Sequence, residues 1–296
     1  MKVFLTGATG FVGTCVTTEL IAHGHTVSGL ARTDASASKL KALGATPVQG
    51  SLDDLSTLTA AARDADAVIH AAFVHDFADP NHSMTRNVAM DIAALKALAE
   101  GMGGTNKVLI NTHGSLVGPE GKTFTESMAK RPGMERNASE DLLKQLAEDG
   151  LNVVTIRLPV TVHGEGDPNF VTAMLHFAKQ SGYAAYVGDG SQRWPHVHKL
   201  DAAVIYRLAI ERPLPKGQVL HPIDNELVTV KSLAEVIGKK LGLPVKSLEA
   251  EELQKSLGFI GWAMGTDNPL SKEETVRLTG WTTSQIGVLE DVERNY

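Results

Sequence analysis

Along residues 1–160, apolar positions alternate between short strand-like runs and longer stretches with a helical period. Lys2-Val-Phe-Leu-Thr6 is rich in strand formers and too short for a helix. Cys15 to His23 carries a helix-like pattern that stops at Gly24, and Thr26 to Leu30 reads as a second strand. The alternation then repeats: Ser36 to Leu43 helix, Pro47 to Gln49 strand, and Asp53 to Ala62 helix led by acidic residues. Asp66 to His70 predicts a fourth strand, Thr85 to Glu100 an amphipathic helix, and Lys107 to Asn111 a fifth strand. Glu135 to Lys144 predicts a helix that leads through Gly150 to a sixth strand at Val153 to Arg157. Such alternation predicts an α/β fold with a doubly wound parallel sheet over 1–160. Past it, Val171 to Gln180, Asp201 to Ile210 and Val230 to Leu241 predict helices, the last ending at Gly242 with Pro244 beyond. We therefore expect a smaller α+β lobe over 161–296, with residues near 195–225 returning to the first domain.

Between the first strand and the first helix lies Gly7-Ala-Thr-Gly10-Phe-Val-Gly13. Strand, glycine turn, helix and second strand in that order form a dinucleotide-binding fingerprint. Gly7 permits the tight turn, Gly10 a close approach of backbone to pyrophosphate, and Gly13 close packing of helix on strand. The helix start then offers free N–H groups to the phosphates. The expected cradle is Thr6, Gly7, Thr9, Gly10, Phe11, Val12 and Gly13.

Composition narrows the function classes. The 296 residues are 43% hydrophobic and 21% charged, which is ordinary for a soluble globular protein. A net charge of −6 gives no support to a nucleic-acid partner. No apolar run reaches the ~20 residues that span a bilayer, so no membrane partner is expected. The first strand begins at once, which predicts no signal peptide. The single Cys15 cannot form an internal disulfide, so a cytoplasmic location is expected, and Cys15 itself reads as a small core residue.

The threonine-led Gly-x-x-Gly-x-x-Gly spacing resembles the short-chain dehydrogenase/reductase superfamily. The resemblance is to its extended, epimerase/dehydratase-like branch and to the group labelled 3β-hydroxysteroid-dehydrogenase-like. It implies a Rossmann-type domain and a nicotinamide dinucleotide. A ribose-binding carboxylate would stand about 20 residues after the fingerprint. Ala31 fills that place and Arg32 follows, which favours NADP(H) because a guanidinium pairs with a 2′-phosphate. NAD(H) stays open, since a loop shift would bring Asp34 to the ribose. Gly50-Ser51-Leu52-Asp53 resembles the turn that flanks adenine, with Ser51 in place of an Asp, so Leu52 is a cofactor contact. Ala71, Ala72 and Phe73 form the small-residue turn against the dinucleotide, and His70 before them reads as structural. His75 and Asp76, between aromatics beyond a strand end, are candidates for substrate contact. The helix from Thr85 to Glu100 lies where extended members often dimerise, leaving monomer and homodimer both open.

Within the branch, a Ser or Thr near the end of the fifth strand polarises the substrate oxygen. Here the stretch is Thr112-His113-Gly-Ser115, and all three polar side chains are candidates. The Tyr-x-x-x-Lys pair that performs acid–base work in the branch is missing. Arg136 stands for the Tyr and Glu140 for the Lys, and no tyrosine precedes Tyr183. Arg136 and Glu140, four apart, would share a helical face and pair. Alternatively, Glu140 serves as a base if burial raises its pKa, and Arg136 clamps an anion.

Farther on, Arg157-Leu-Pro159-Val-Thr-Val-His163-Gly resembles the Arg-Pro-x-x-Val-Tyr-Gly segment of the branch. The resemblance implies that Pro159 borders the nicotinamide and that His163 replaces a substrate-side Tyr. Gly188-Asp-Gly190 to Asp201 resembles the segment that closes the substrate cleft, implying that Arg193 lines it and Trp194 walls it. His196 and His198 lack further ligands of the right kind, so no metal is expected. Three functions remain open: an NADP(H)-dependent oxidoreductase of a small carbonyl or alcohol; an NADP(H)-binding sensor or interaction protein without turnover; and a non-redox isomerase, lyase or cyclase in the same cleft.

Overall fold

A computed structural model describes the whole chain except residues 75–82, 105 and 120. Its centre is a sheet of seven strands in the order β10-β6-β5-β4-β1-β2-β3, every neighbouring pair parallel. The strands are β1 (Lys2–Thr6), β2 (Thr26–Ala31), β3 (Thr46–Gln49), β4 (Ala67–His70), β5 (Val108–Gly114), β6 (Asn152–Leu158) and β10 (Gln218–Leu220). Parallel strands are covered on both faces, which is why Val3, Phe4 and Leu5 follow one another without a polar break and are all fully buried. Helices α1 (Phe11–Ala22), α2 (Asp34–Ala42) and α7 (Lys199–Glu211) lie on one face, where Val3, Leu5, Val16, Leu20, Leu40 and Tyr206 share a core. Helices α3 (Leu55–Asp64), α4 (Met84–Met102) and α5 (Asn137–Glu148) cover the other around Phe4, Leu58, Leu95 and Leu143.

A second core carries the smaller lobe. It gathers Met174 of α6 (Phe170–Ser181), Leu233 of α8 (Val230–Leu241) and Val292 of α12 (Val288–Asn295). Leu253 of α9 (Ala250–Leu257) and Ala263 of α10 (Phe259–Met264) complete it against the parallel pair β8 (Ala184–Val187) and β11 (Val245–Leu248). Strands β7 (Thr161–His163) and β9 (His196–His198) form a further parallel pair, and α11 (Glu273–Thr279) precedes the last turn of chain.

Two differences from the sequence expectation matter for the site. Helix α1 starts at Phe11 rather than Cys15, because the fingerprint residues themselves form its first turn. Helix α5 starts at Asn137, leaving Arg136 as its N-cap. Arg136 and Glu140 do not pair: Glu140 is taken by Arg157, and Arg136 turns to Phe73 with the Asp91 charge nearby.

Candidate active site

The strand order reverses between β1 and β4, and the glycine turn leaves β1 at that crevice. Gly7 has φ 73°, and a Cβ there would stand 2.8 Å from the backbone of Ala71 and Ala72. A Cβ on Gly13 would fall 2.0 Å from the Gly7 carbonyl oxygen. The two glycines thus let three stretches of backbone meet. Helix α1 has Gly10 as N-cap, no side-chain cap and no acidic residue in its first turn. Its N–H groups and partial positive charge are left for an anion, which fits a pyrophosphate.

A buried hydrogen-bond chain fixes the opposite wall. The Ala72 N–H donates to Thr6 Oγ1 at 3.3 Å, and that hydroxyl meets His70 Nδ1 at 2.8 Å. His70 Nε2 lies 3.0 Å from Asp91 Oδ1. Burial tends to raise the Asp91 pKa, but the His70 contact and the Arg136 charge outweigh it and hold the carboxyl below its usual range. With Asp91 ionised, His70 Nε2–H is the donor in that contact, and the Thr6 hydroxyl meets Nδ1 on the other edge of the ring. Arg32 is exposed just beyond β2, and Asp34 begins α2, which Thr33 caps. Leu52 is buried in the turn after β3, and Pro159 is buried after β6. Burial also pushes the Cys15 thiol up, and the half-buried side chain packs against the edge of the α1 and α7 core.

The end of β5 is built from side chains instead. Thr112 is committed inward, its Oγ1 2.8 Å from the hydroxyl of buried Tyr206 on α7. His113 is also enclosed: Nδ1 faces the Gly114 carbonyl at 2.8 Å and Nε2 the Arg136 carbonyl at 3.0 Å. Burial and the Arg136 charge push its pKa down, against the pull of Glu140, so the neutral ring is favoured. Both ring nitrogens of His113 therefore face protein, and the Thr112 hydroxyl is turned to α7. Ser115 is buried as well, but its Oγ accepts from Asn268 Nδ2 at 2.9 Å, and no acceptor for its own proton lies among the described residues.

Arg136 places its guanidinium 4.0 Å from the Phe73 ring centroid, and NH1 lies 3.8 Å from where a Gly114 Cβ would be. It therefore sits beyond the ends of β4 and β5, with the Asp91 charge nearby. Glu140 instead accepts a bidentate pair from Arg157, with Nε at 3.0 Å. Burial acts to raise the Glu140 pKa, but Arg157 overrides it and holds the carboxyl low, so the expectation of a raised-pKa base is overturned. Arg157 is in turn backed by His221 Nε2 at 3.3 Å and lies 4.4 Å from the Phe124 ring centroid.

On the substrate side, several expectations change. Trp194 is fully buried in the lobe core and donates Nε1–H to the Ala263 carbonyl at 3.2 Å, so it walls no cleft. His163 is fully buried too, its Nδ1 2.6 Å from Asp291 Oδ2 on α12, which removes it from substrate contact. Arg193 is partly exposed but clasped by Asp267, with Nε at 3.0 Å and NH2 at 2.6 Å. His75 and Asp76 lie outside the described residues. No group of three His, Cys, Asp or Glu poised to hold a metal occurs among the described residues.

Sequence reasoning missed Asp91, Tyr206 and Asn268. Asp91 carried a signal, because it interrupts the apolar face formed by Val88, Ala94, Leu95 and Leu98 on one helix. Asn268 carried none, since it reaches Ser115 from 153 residues away.

The comparisons with known proteins agree with this architecture. The model of the NAD dependent epimerase/dehydratase family matches residues 3–220. An uncharacterized protein of Saccharomyces cerevisiae is 37% identical over 300 residues, spanning 100% of this chain and 99% of the relative. A sterol-4-alpha-carboxylate 3-dehydrogenase (decarboxylating) of Dictyostelium discoideum is 27% identical, over 83% of this chain and 78% of the relative. Among solved structures, a UDP-glucose-4-epimerase from Stenotrophomonas maltophila with bound NAD superposes with a TM-score of 0.78 at 19% identity, covering 100% of this chain and 96% of the other. No helix among the described residues is long and apolar enough to cross a membrane. A glycine cradle shaped for a dinucleotide, a parallel sheet of this order and a family match over most of its length lead to one assignment: the chain belongs to the NAD dependent epimerase/dehydratase family, of the short-chain dehydrogenase/reductase superfamily.

Proposed function

We propose that the protein is an NADP(H)-dependent reductase of a small carbonyl compound that works without the Tyr-x-x-x-Lys pair. The observation that carries this is the Ser115 hydroxyl just past β5, which takes one hydrogen bond from Asn268 and keeps its own proton uncommitted; the Arg136 guanidinium lies beyond the ends of β4 and β5. A dinucleotide held by the glycine turn would place a nicotinamide that could supply the hydride for the carbonyl carbon. Ser115 donates its O–H to the carbonyl oxygen, and Asn268 holds that hydroxyl by occupying one of its lone pairs. Arg136 favours the negative charge that develops on the oxygen. It cannot release its own proton at neutral pH, so the proton completing the alcohol comes from solvent by way of Ser115. Arg32, exposed and without a neighbouring carboxylate at position 31, supports the choice of NADP(H) over NAD(H).

The test is NADPH oxidation against a panel of aldehydes, ketones and an aromatic ortho-quinone. Ser115→Ala is expected to lower turnover by about a hundredfold while NADP⁺ binding stays intact. Full turnover in Ser115→Ala would remove the assignment. A second reading has a specific observation behind it: Glu140 and His113, which stand near the usual acid–base position, are both sealed into protein contacts. A cofactor-binding protein without catalysis would be built that way. It would bind NADPH and show no turnover with any member of the panel.

A further inference from the structure

Just past Ser115, the smaller lobe carries a surface made of aromatic rings. Leu116, the next residue, packs on the lobe core together with Phe170 and Trp262. The rings follow one another: the Trp262 centroid lies 5.3 Å from Phe259, Phe259 6.3 Å from Phe170, and Phe170 5.7 Å from buried Trp194. Phe259 is 38% exposed, while Phe170 and Trp262 are half-buried, so the row is rooted in the core and open along its outer side. Two links tie it to the candidate active site. Arg131, whose guanidinium lies 5.8 Å from the Trp262 centroid, donates its backbone N–H to the Val117 carbonyl at 2.6 Å. Asn268, which holds the Ser115 hydroxyl, shares its stretch of chain with Trp262, and Thr266 between them donates Oγ1–H to the Trp262 carbonyl at 3.3 Å. The neighbouring charges are matched. Asp267 accepts from the Arg193 backbone N–H at 2.8 Å as well as from its guanidinium. A phosphate reaching for Arg193 would have to displace that carboxylate, and the two like charges would repel.

We infer that Trp262 and Phe259 are the ring-binding part of the substrate site, and that the substrate is an uncharged aromatic carbonyl compound rather than a nucleoside diphosphate sugar. A ring that bears a carbonyl is electron-poor, and it is attracted to the electron-rich faces of indole and phenyl groups by offset stacking or edge contact. A diphosphate gains nothing from such a surface and loses hydration against it. The chemistry rests on the reductase reading above. The carbonyl carbon receives a hydride from a reduced nicotinamide dinucleotide, the C=O π pair moves to oxygen, and that oxygen takes the Ser115 proton, which solvent restores. Binding of the ring does not depend on turnover, so the two claims separate in the test.

The experiment titrates the full-length protein with naphthaldehyde as the probe and UDP-glucose as the competitor. Trp194 and Trp281 are fully buried, so quenching by a stacked ring reports mainly on Trp262. Naphthaldehyde is expected to quench wild-type emission, and excess UDP-glucose to leave that quench in place. By calorimetry, Phe259→Ser and Trp262→Leu are each expected to weaken naphthaldehyde about five- to tenfold, while Trp262→Phe keeps most of the affinity. In turnover, the same two variants should raise KM by that factor and leave kcat within about twofold, unlike Ser115→Ala, which lowers kcat. Should Trp262→Leu melt early, Phe259→Ser carries the test, since its ring is exposed. Naphthaldehyde affinity that is absent in wild type, or unchanged in the variants, overturns the ring site. Displacement of the probe by UDP-glucose overturns the choice of substrate class. A probe that quenches, loses affinity in the variants and is never reduced overturns the reductase reading while the ring site stands.

Discussion

The cofactor cradle and the end of β5 are neighbours built on opposite principles. At the cradle, backbone meets backbone: a single Cβ on Gly13 would stand 2.0 Å from the Gly7 carbonyl oxygen. At the end of β5, charge meets charge. Glu140 is held by Arg157, and Arg136 has Asp91 nearby, each side chain arriving from a different element. The first arrangement works by leaving atoms out and tolerates no addition. The second works by matching partners and tolerates no deletion.

The strongest way to break that contrast is Arg157→Met. It strands a buried carboxylate and is expected to cost about 3–5 kcal/mol in denaturant unfolding, whereas Arg157→Met with Glu140→Leu recovers most of it. If the double variant is no better than the single, the charge matching is not what the edge depends on. Gly13→Ala is expected to cost about 1–3 kcal/mol and to abolish dinucleotide binding, as read by calorimetry. Binding retained in Gly13→Ala would mean the cradle has room that its geometry denies.

Acid separates the two regions next. Burial and the neighbouring His163 push His196 down to about 4, and burial with Arg157 pushes His221 to about 3. Both rings are neutral when folded and accept protons near pH 6.5 when unfolded, so below about 6.5 the unfolded state binds more protons and stability falls. Each contributes a slope of about 1.4 kcal/mol per pH unit, ending near its folded value. Melting temperature is therefore expected to drop between about pH 6.5 and 4.5, with a flatter slope in His196→Phe. A pH-independent melt would contradict the burial of these rings.

The mildest probe is Asn268→Asp, which buries a carboxylate against the Ser115 hydroxyl and is expected to cost about 1–3 kcal/mol. Its carboxylate would accept the Ser115 proton instead of donating, so reductase turnover should fall by about a hundredfold and recover as acid protonates the new side chain. A flat pH profile in that variant would separate Asn268 from the chemistry.

The same contrast explains what was legible in the amino-acid sequence. Glycine spacing is a local record of close backbone approach, so the cradle and the six leading strands could be read in order from residues 2–157. The seventh strand, β10, is three residues long and gave no period to read. Arg136 and Glu140 were visible as departures from the family pattern, but their partners were not. Arg157 lies 17 residues from Glu140, and Asp91 and Phe73 reach Arg136 from more than 40 residues away, so spacing along the chain could not name them. Trp194 and His163 were misplaced for a related reason. Residues beside a motif need not face the site, and here they pack into the lobe core and against α12.

One consequence of the topology concerns how the molecule is made. β10 hydrogen-bonds along β6, and Trp281, fully buried, donates Nε1–H to the Asp201 carbonyl at 2.9 Å within the core on the α1 and α7 face. The nucleotide half therefore borrows a strand, a helix and an indole from residues 199–281. During synthesis, its sheet emerges from the ribosome long before the pieces that seal its back. The nascent half must wait with an apolar face uncovered, and the finished protein is expected to melt as one cooperative unit rather than as two separable modules.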